Sequence, residues 1–390
     1  MMSIDIIPCR SEAIRYDRVG SREHRRERYV ENGMTRKQSA ILQGVAIWMM
    51  LYHHLYSEAA EYASLLPFLQ ADTVRRIAWF CKICVGIFAF VSGYGMYYGM
   101  KRQPRETFFG RMKAEYRCVL PRILKLYGRL WLVLLIFMAC FFGILRRPFD
   151  AGQVWGNLTA LEPTYNRAWW YVEQYAKMLL LLPLLDLLLT SFNDSSETKK
   201  KRIFYAAGAV VCVGAVAAGL LWRPLWDLLS DVRRGLRISF LLVFAAGYLT
   251  ARFRVYEWAD RLLKKKGEWA AVCFAAALTG GVIALRVALA SGPAYGRADF
   301  LLTPLLVYGL LSIFSHLKPL EAFFAWWGGQ SAYMWLVHGF LYEKAFRYVK
   351  SLTGLDLPGY LAALAVSAFA AILLKMLETL PRRLLRRRQM

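Results

Sequence analysis

Two adjacent histidines stand near the end of the first strongly apolar segment, where WMMLYHHLYSE runs from Trp48 to Glu58. A titratable imidazole in such a segment costs free energy unless it has polar partners or a chemical task. Neighbouring residues of a helix point about 100° apart, so His53 and His54 cannot both face one pocket in the same way. Since imidazole titrates near neutral pH, one of the two is a candidate general base or nucleophile, and the other is its support.

Further polar side chains occur inside other apolar segments. Lys82 and His338 are costly in a bilayer, and by default such residues mark a functional cavity. The sequence FVSGYG supplies the hydroxyls of Ser92 and Tyr94, and its glycines allow helices or ligands to approach closely. Helix packing is the simpler explanation for this last motif, and a role in a pocket is the alternative.

The composition indicates a membrane protein. Of the 390 residues 57% are hydrophobic, the mean hydropathy is +0.32 and the formal charge is +24. The basic residues fall in short runs between long apolar segments, as membrane topology requires, so nucleic acid is not predicted as a partner. Cys81 and Cys84 form a C-x-x-C inside an apolar helix with no second pair, which indicates small core residues, and no metal site is predicted.

The lengths of the apolar stretches predict an all-α polytopic membrane protein with about ten transmembrane helices. The predicted spans are 40–58, 77–100, 130–145, 169–190, 203–221, 238–251, 268–290, 299–316, 328–347 and 358–378. If both termini are cytoplasmic, the cytoplasmic segments hold most of the Lys and Arg residues between the spans, as the positive-inside rule favours. This orientation places His54 in the outer half of the bilayer.

Three regions follow from this topology. Residues 1–38 form a basic cytoplasmic tail predicted to be disordered, residues 39–379 form the membrane domain, and residues 380–390 form a basic cytoplasmic C-terminal tail. The segment 101–129 mixes nine basic residues with apolar ones, which predicts an amphipathic helix at the inner interface. The alternative is a basic platform for an anionic, phosphate-bearing donor.

The longest predicted exterior loop, 146–168, leads into an aromatic cluster of Trp169, Trp170 and Tyr171. Such rings stack well on a sugar, and an aromatic belt at the membrane interface explains them equally well. The sequence thus leaves both interpretations open.

Four segments, in this order, resemble the acyltransferase 3 family of integral membrane acyltransferases, in the form without a fused extracellular domain. They are ILQGVAIWMMLYHHLY at 41–56, FAFVSGYGMYYGMKR at 88–102, RAWWYVEQYAKMLLLLPLL at 167–185 and WWGGQSAYMWLVHGFLY at 326–342. The last segment contains His338, for which the resemblance implies a place in the pocket.

The first span of that family usually carries a basic residue, ten intervening residues and a histidine implicated in acyl transfer. Here the same spacing joins Gln43 to His54, so the resemblance implies that His54 is the acyl-transfer histidine and that His53 supports it. The neutral Gln43 departs from the family pattern. Arg36 or Lys37 would then have to supply the missing positive charge.

The resemblance implies transfer of an acyl group, most often acetyl from acetyl-CoA, to a hydroxyl of a cell-envelope glycan or related acceptor. It also implies a multi-pass protein of the bacterial cytoplasmic membrane, with acetyl-CoA or another acyl-CoA as donor substrate. Lys82 or a tyrosine hydroxyl would stabilise the developing oxyanion. The predicted substrate or donor pocket comprises Gln43, Lys82, Ser92, Tyr94, Trp169, Trp170, Tyr171 and His338.

A polytopic transporter or flippase for a glycan or small solute is the competing hypothesis, in which the intramembrane His and Lys relay protons or bind the solute. Transporters often contain inverted repeats with broken helices in corresponding positions. The sequence shows no internal repeat, and FVSGYG has no clear counterpart in the second half. The acyltransferase is therefore the favoured prediction.

Overall fold

The computed structural model describes residues 33–57, 70–100, 108–140, 149–191, 237–265, 267–291 and 296–388. Within these ranges the regular structure is helical, as predicted, and besides two 3₁₀ helices of three residues each it comprises twelve α-helices. They are α1 (Arg36–Tyr56), α2 (Ala71–Cys81), α3 (Cys84–Gly99), α4 (Phe108–Met138), α5 (Ala151–Thr159), α6 (Trp170–Ser191), α7 (Ile238–Arg252), α8 (Val255–Lys264), α9 (Glu268–Ala288), α10 (Asp299–Phe314), α11 (Lys318–Thr353) and α12 (Asp356–Arg388).

Three stretches among the described residues are long and apolar enough to cross a membrane: Ala71–Gly99, Glu268–Ala288 and Asp356–Leu380. A fourth is added if α7 and α8, which are bent by 61° relative to one another, form one span. These stretches support a membrane protein. The number ten and the side of the termini stay predictions, and the predicted span 203–221 lies outside the described residues.

The first helix begins at a capping box. The hydroxyl of Thr35 accepts a hydrogen bond from the backbone N–H of Gln38, and the Gln38 side chain accepts one from the Thr35 N–H. Two of the N–H groups that a helix leaves unpaired at its start are thereby satisfied. The start of α1 is thus fixed, and with it the position of every later residue along the helix.

Helices α1 and α11 pack in parallel through two glycines. A Cβ atom at Gly44 would collide with the carbonyl oxygen of Phe324, and one at Gly328 would collide with that of Ala40. Glycine at both positions lets the two backbones approach closely, the usual way in which helices pack in a membrane. The contact fixes one helix against the other lengthwise.

The same register holds along the whole pair. At one end Lys37 donates to Glu321 over 2.5 Å, across a separation of 284 residues. That separation also relates Gly44 to Gly328 and His54 to His338, whose rings are in contact near the other end of α1. The register of α1 against α11 therefore brings the two histidines to one level.

Helices α3 and α7 form a second parallel pair with the same kind of contact. A Cβ at Gly93 would meet the carbonyl of Phe244, and one at Gly247 would meet that of Phe90. Gly93 belongs to FVSGYG, so the structure confirms helix packing as the role of this glycine. Both pairs run parallel, as two odd-numbered or two even-numbered spans of the predicted ten would.

The predicted amphipathic helix over 101–129 is helical from Phe108 onward and forms the first part of a longer helix. Helix α4 continues from Phe108 to Met138 without a break, although Pro121 lies inside it. The hydroxyl of Tyr116 donates to the carbonyl of Leu180 in the middle of α6, so this part of α4 packs along a neighbouring helix. The predicted third span, 130–145, begins within this helix. Residues 101–107 lie outside the described part.

The predicted exterior loop 146–168 is folded from residue 149 onward. Asp150 caps α5, and Asn157, which is fully buried, donates to Gln153 and Thr164 and accepts from the N–H of Tyr165. These bonds close the segment on itself. At the other end of the chain, α12 continues as a helix to Arg388, through most of the predicted tail 380–390.

The two adjacent glycines of α11 provide a test of the α1–α11 contact. Replacing Gly328 by Val places a side chain against the Ala40 carbonyl, whereas a Cβ at Gly329 would have no atom within 4 Å. We expect Gly328→Val to lower the free energy of unfolding by about 1–3 kcal/mol. Gly329→Val should have much less effect, although the change in helix propensity is the same. An equal loss of unfolding free energy in SDS titrations of the two purified variants would contradict this packing.

Candidate active site

The end of α1 and the middle of α11 place two histidines and a tyrosine together. The rings of His54 and His338 are 5.1 Å apart between centroids, and Tyr342 lies 6.0 Å from the first ring and 5.8 Å from the second. His54 is exposed, whereas His338 is 1% exposed. These three residues, called the histidine group below, therefore combine an accessible imidazole with a second imidazole held in the protein interior.

The hydrogen bond of His338 fixes which of its nitrogens carries the proton. Nδ1 lies 2.7 Å from the carbonyl oxygen of Trp335. Because a carbonyl only accepts, Nδ1 is the donor, and Nε2 of the neutral ring keeps its lone pair. His338 is thus held by its own helix as a hydrogen-bond acceptor beside His54.

His53 points to a different helix, as the geometry of adjacent residues requires. Its Nδ1 lies 2.8 Å from the carbonyl of Ala78 in the last turn of α2, so Nδ1 is again the donor. The rings of His53 and His54 are 5.5 Å apart. His53 therefore joins the end of α1 to the end of α2 and flanks the exposed imidazole.

The end of α2 is also held by Arg286 of α9, a residue that is 1% exposed. Its Nη1 donates to the carbonyls of Trp79 and Phe80, over 2.6 and 2.9 Å. Its Nε and Nη2 donate to the two carboxylate oxygens of Asp299, over 2.8 and 3.0 Å. Together with Ala78, three successive carbonyls at the end of α2 thus accept hydrogen bonds from side chains of other helices, and those of Trp79 and Phe80 also accept from the backbone N–H groups of the following turn.

Lys82 follows directly, in the two-residue turn between α2 and α3. It is exposed, and it interacts electrostatically with Arg286, Asp299 and His53. Lys82 therefore lies on the His53 side of the histidine group. Tyr342 is in contact with both His54 and His338, so it is the better placed of the two predicted types of oxyanion donor.

The aromatic cluster is only partly available to a ligand. Trp169 is fully buried, and its Nε1 donates to the carbonyl of Leu336, 2.8 Å away. Tyr171 is buried against Trp335. Neither residue offers a ring face to a sugar, so sugar stacking is wrong for both. Trp170 is partly exposed, and the guanidinium of Arg237 lies 4.1 Å from its ring centroid.

Two other predicted pocket residues, Ser92 and Tyr94, lie away from the histidines. Ser92 is buried and bonded to Tyr175, and the buried Tyr94 hydroxyl accepts from the N–H of Met34, just before α1. About twenty residues separate that point from His54, which corresponds to about 30 Å along a helix. The structure therefore does not place Ser92 and Tyr94 in the histidine group.

The position predicted to carry a positive charge is occupied by Gln43, which is buried beside the glycine contact of α1. About eleven residues separate it from His54, or about 16 Å along the helix axis. Lys37, one of the two predicted substitutes, forms the ion pair with Glu321, which lowers the pKa of that carboxyl. A donor-binding role for Gln43 stays a prediction.

A family model described as an acyltransferase domain matches residues 39–376. The chain belongs to the acyltransferase 3 family. Searches of curated proteins and of solved structures gave no match. Membership in the family makes the chain a membrane acyltransferase, and the histidine group is the candidate centre for that activity.

Sequence reasoning missed Arg286, Asp299, Tyr342 and Arg237. Arg286 was detectable, because it is a charged residue inside the predicted span 268–290 and the rule that selected Lys82 applies to it equally. Asp299, its partner, begins the next predicted span. Tyr342 and Arg237 carry no comparable signal, since their positions depend on contacts between helices distant in sequence.

Replacing Arg286 by Gln tests its role at the end of α2. The change leaves a buried carboxylate and two helix-end carbonyls without their charged donor. Breaking a buried pair in this way typically costs about 3–5 kcal/mol, and we expect a loss of that size in SDS titrations. Arg75→Gln is the control, since Arg75 forms a half-exposed ion pair with Asp72 on α2 and its loss should change little. A stable Arg286→Gln variant would contradict the assignment.

Proposed function

We propose that the protein transfers an acyl group, acetyl from acetyl-CoA, to a hydroxyl of a cell-envelope glycan, with His54 as the general base. The observation that carries this proposal is the contact between the exposed His54 and the buried His338, made by a register that also aligns Gly44 with Gly328. The spacing that the family resemblance implies points to the same histidine.

The proposed reaction takes place in one displacement. Neutral His54 accepts the proton of the acceptor hydroxyl as the oxygen attacks the thioester carbonyl carbon. The new ester C–O bond forms, the C–S bond breaks, and the departing thiolate takes up the proton from His54. Proton transfer of this kind contributes about 10²–10⁴ in rate, and imidazole suits it because its ordinary pKa lies near neutrality.

The neighbours of His54 have distinct tasks in this proposal. His338, whose Nδ1 is bound to the Trp335 carbonyl, has a lone pair on Nε2 that would stabilise the protonated state of the neighbouring His54. The hydroxyl of Tyr342 donates to the oxyanion that develops on the thioester carbonyl. His53 holds the end of α1 against α2 through Ala78 and so positions His54.

Helix α4 provides a candidate site for the anionic nucleotide of the donor. The half-buried Arg122 packs against Gly99, at the opposite end of α3 from Lys82. Its Nη1 donates to the carbonyl of Cys118, 2.8 Å away, while Nη2 has no hydrogen-bond partner among the described residues. A planar guanidinium of this kind suits a phosphate group. This proposal retains the predicted basic platform for the donor and assigns it to α4.

The test is CoA release by the purified protein from acetyl-CoA in the presence of a panel of neutral and acidic oligosaccharides. We expect His54→Ala to reduce the rate at least about 100-fold, because the general base is removed. His53→Ala should reduce it less, since His53 acts through position. His316→Ala is the matched control, because His316 is an exposed histidine bonded to Ser312 and Glu268.

Full activity of His54→Ala would contradict the assignment of the base. Absence of CoA release by the wild-type protein with every acceptor, together with His54-dependent solute uptake into proteoliposomes, would favour the transporter. Acetyl-CoA compared with succinyl-CoA in the same assay identifies the acyl group.

A further inference from the structure

The turn that carries Lys82 is held rigidly from both sides. The preceding carbonyls of Trp79 and Phe80 accept from Arg286, and the carbonyl of Ala78 accepts from His53. The turn therefore has little freedom to move the exposed Lys82 away from the histidine group. A long cationic side chain on a fixed backbone is suited to a ligand of opposite charge.

A second exposed cation lies at the same level. Arg237 immediately precedes α7, and the parallel packing of α7 on α3 through Gly93 and Gly247 brings the starts of the two helices side by side. The backbone N–H of Arg237 donates to Gln174 over 2.7 Å, and its guanidinium lies over the ring of Trp170. Stacking on an aromatic ring orients a guanidinium and leaves its edge for a planar anion.

Among the described residues, the charged groups around these two cations are predominantly positive. Lys82 interacts repulsively with both Arg237 and Arg286. The described carboxylates that act on the two exposed cations have cationic partners of their own, since Asp299 binds Arg286 and Glu173 binds Lys177. Like charges held close together destabilise the protein, and a bound anion would relieve that repulsion.

We propose that Lys82 and Arg237 bind an anionic group, a carboxylate or a phosphate, on the acyl acceptor. The inference rests on the proposed function, and it specifies the acceptor as an acidic or phosphorylated glycan instead of a neutral one. Trp170, the partly exposed member of the aromatic cluster, lies under Arg237 and orients its guanidinium. The acceptor would then approach His54 from the side of His53.

Direct binding to the full-length protein in detergent tests this assignment without any turnover. The probes are trigalacturonate, a galactose phosphate and neutral galactotriose, and CoA is measured in parallel. We expect one of the two anionic probes to bind more tightly than galactotriose, and which one it is distinguishes a carboxylate from a phosphate. Lys82→Gln combined with Arg237→Gln should weaken that probe about tenfold or more, the usual scale for charge-assisted hydrogen bonds.

Two control variants show whether charge at these two positions is what binds the anion. Arg75→Gln removes an exposed cation of α2 that pairs with Asp72, and it should leave binding unchanged. Lys82→Arg combined with Arg237→Lys keeps both charges and should retain most of the affinity. An unchanged unfolding midpoint of the glutamine double variant would show that the fold is intact.

The proposal would be overturned if galactotriose bound as tightly as both anionic probes, or if Arg75→Gln lost as much affinity for the anionic probe as the glutamine double variant. A loss of CoA affinity in the double variant would also overturn it, because the two cations would then belong to the donor site. Tight binding of the anionic probe in a protein without transferase activity contradicts the proposed function instead. The two failures are therefore distinguishable.

Discussion

The close approach of α1 and α11 at Gly44 and Gly328 is the contact on which the rest of the site depends. Glycine at both positions lets the two backbones meet at this register, and the ion pair of Lys37 with Glu321 agrees with it. The histidines that meet at the far end are a consequence of this alignment. A shift by one residue in either helix would rotate an imidazole by about 100° and separate the pair.

A second constraint comes from the break between α2 and α3. The last carbonyls of a helix in an apolar environment need donors, and here His53 and Arg286 donate to three of them in addition to the backbone N–H groups of the turn. The same side chains thereby link the break to α1 and α9. Polar groups that would each cost free energy alone in an apolar environment satisfy one another here. As a result, the turn with Lys82 is held beside the histidine group.

The helical fold class was predictable because long apolar segments leave a chain few alternatives in a bilayer. His54 and His338 were also detectable, each as a costly residue in an apolar run. Their contact was not, because it depends on the register between two helices 284 residues apart, which no local pattern encodes. The roles of the glycines became clear only from the carbonyls they face. Charge density in 108–129 indicated an amphipathic helix, but its continuation to Met138 and the pairing of Arg129 with Glu378 depend on neighbouring helices that no local pattern identifies. Trp169 was predicted as a surface ring, yet its indole N–H is bonded in the interior to the carbonyl of Leu336, a partner that the sequence does not identify.

The most direct measurement of whether His54 and His338 act as one unit is a double-mutant cycle on the rate of acyl transfer. The single variants His54→Ala and His338→Gln are compared with the protein that carries both changes. If the two rings act together, the double variant is about as slow as His54→Ala alone, because the second change removes nothing further. Independent effects that multiply in the double variant would contradict a shared role for the two histidines.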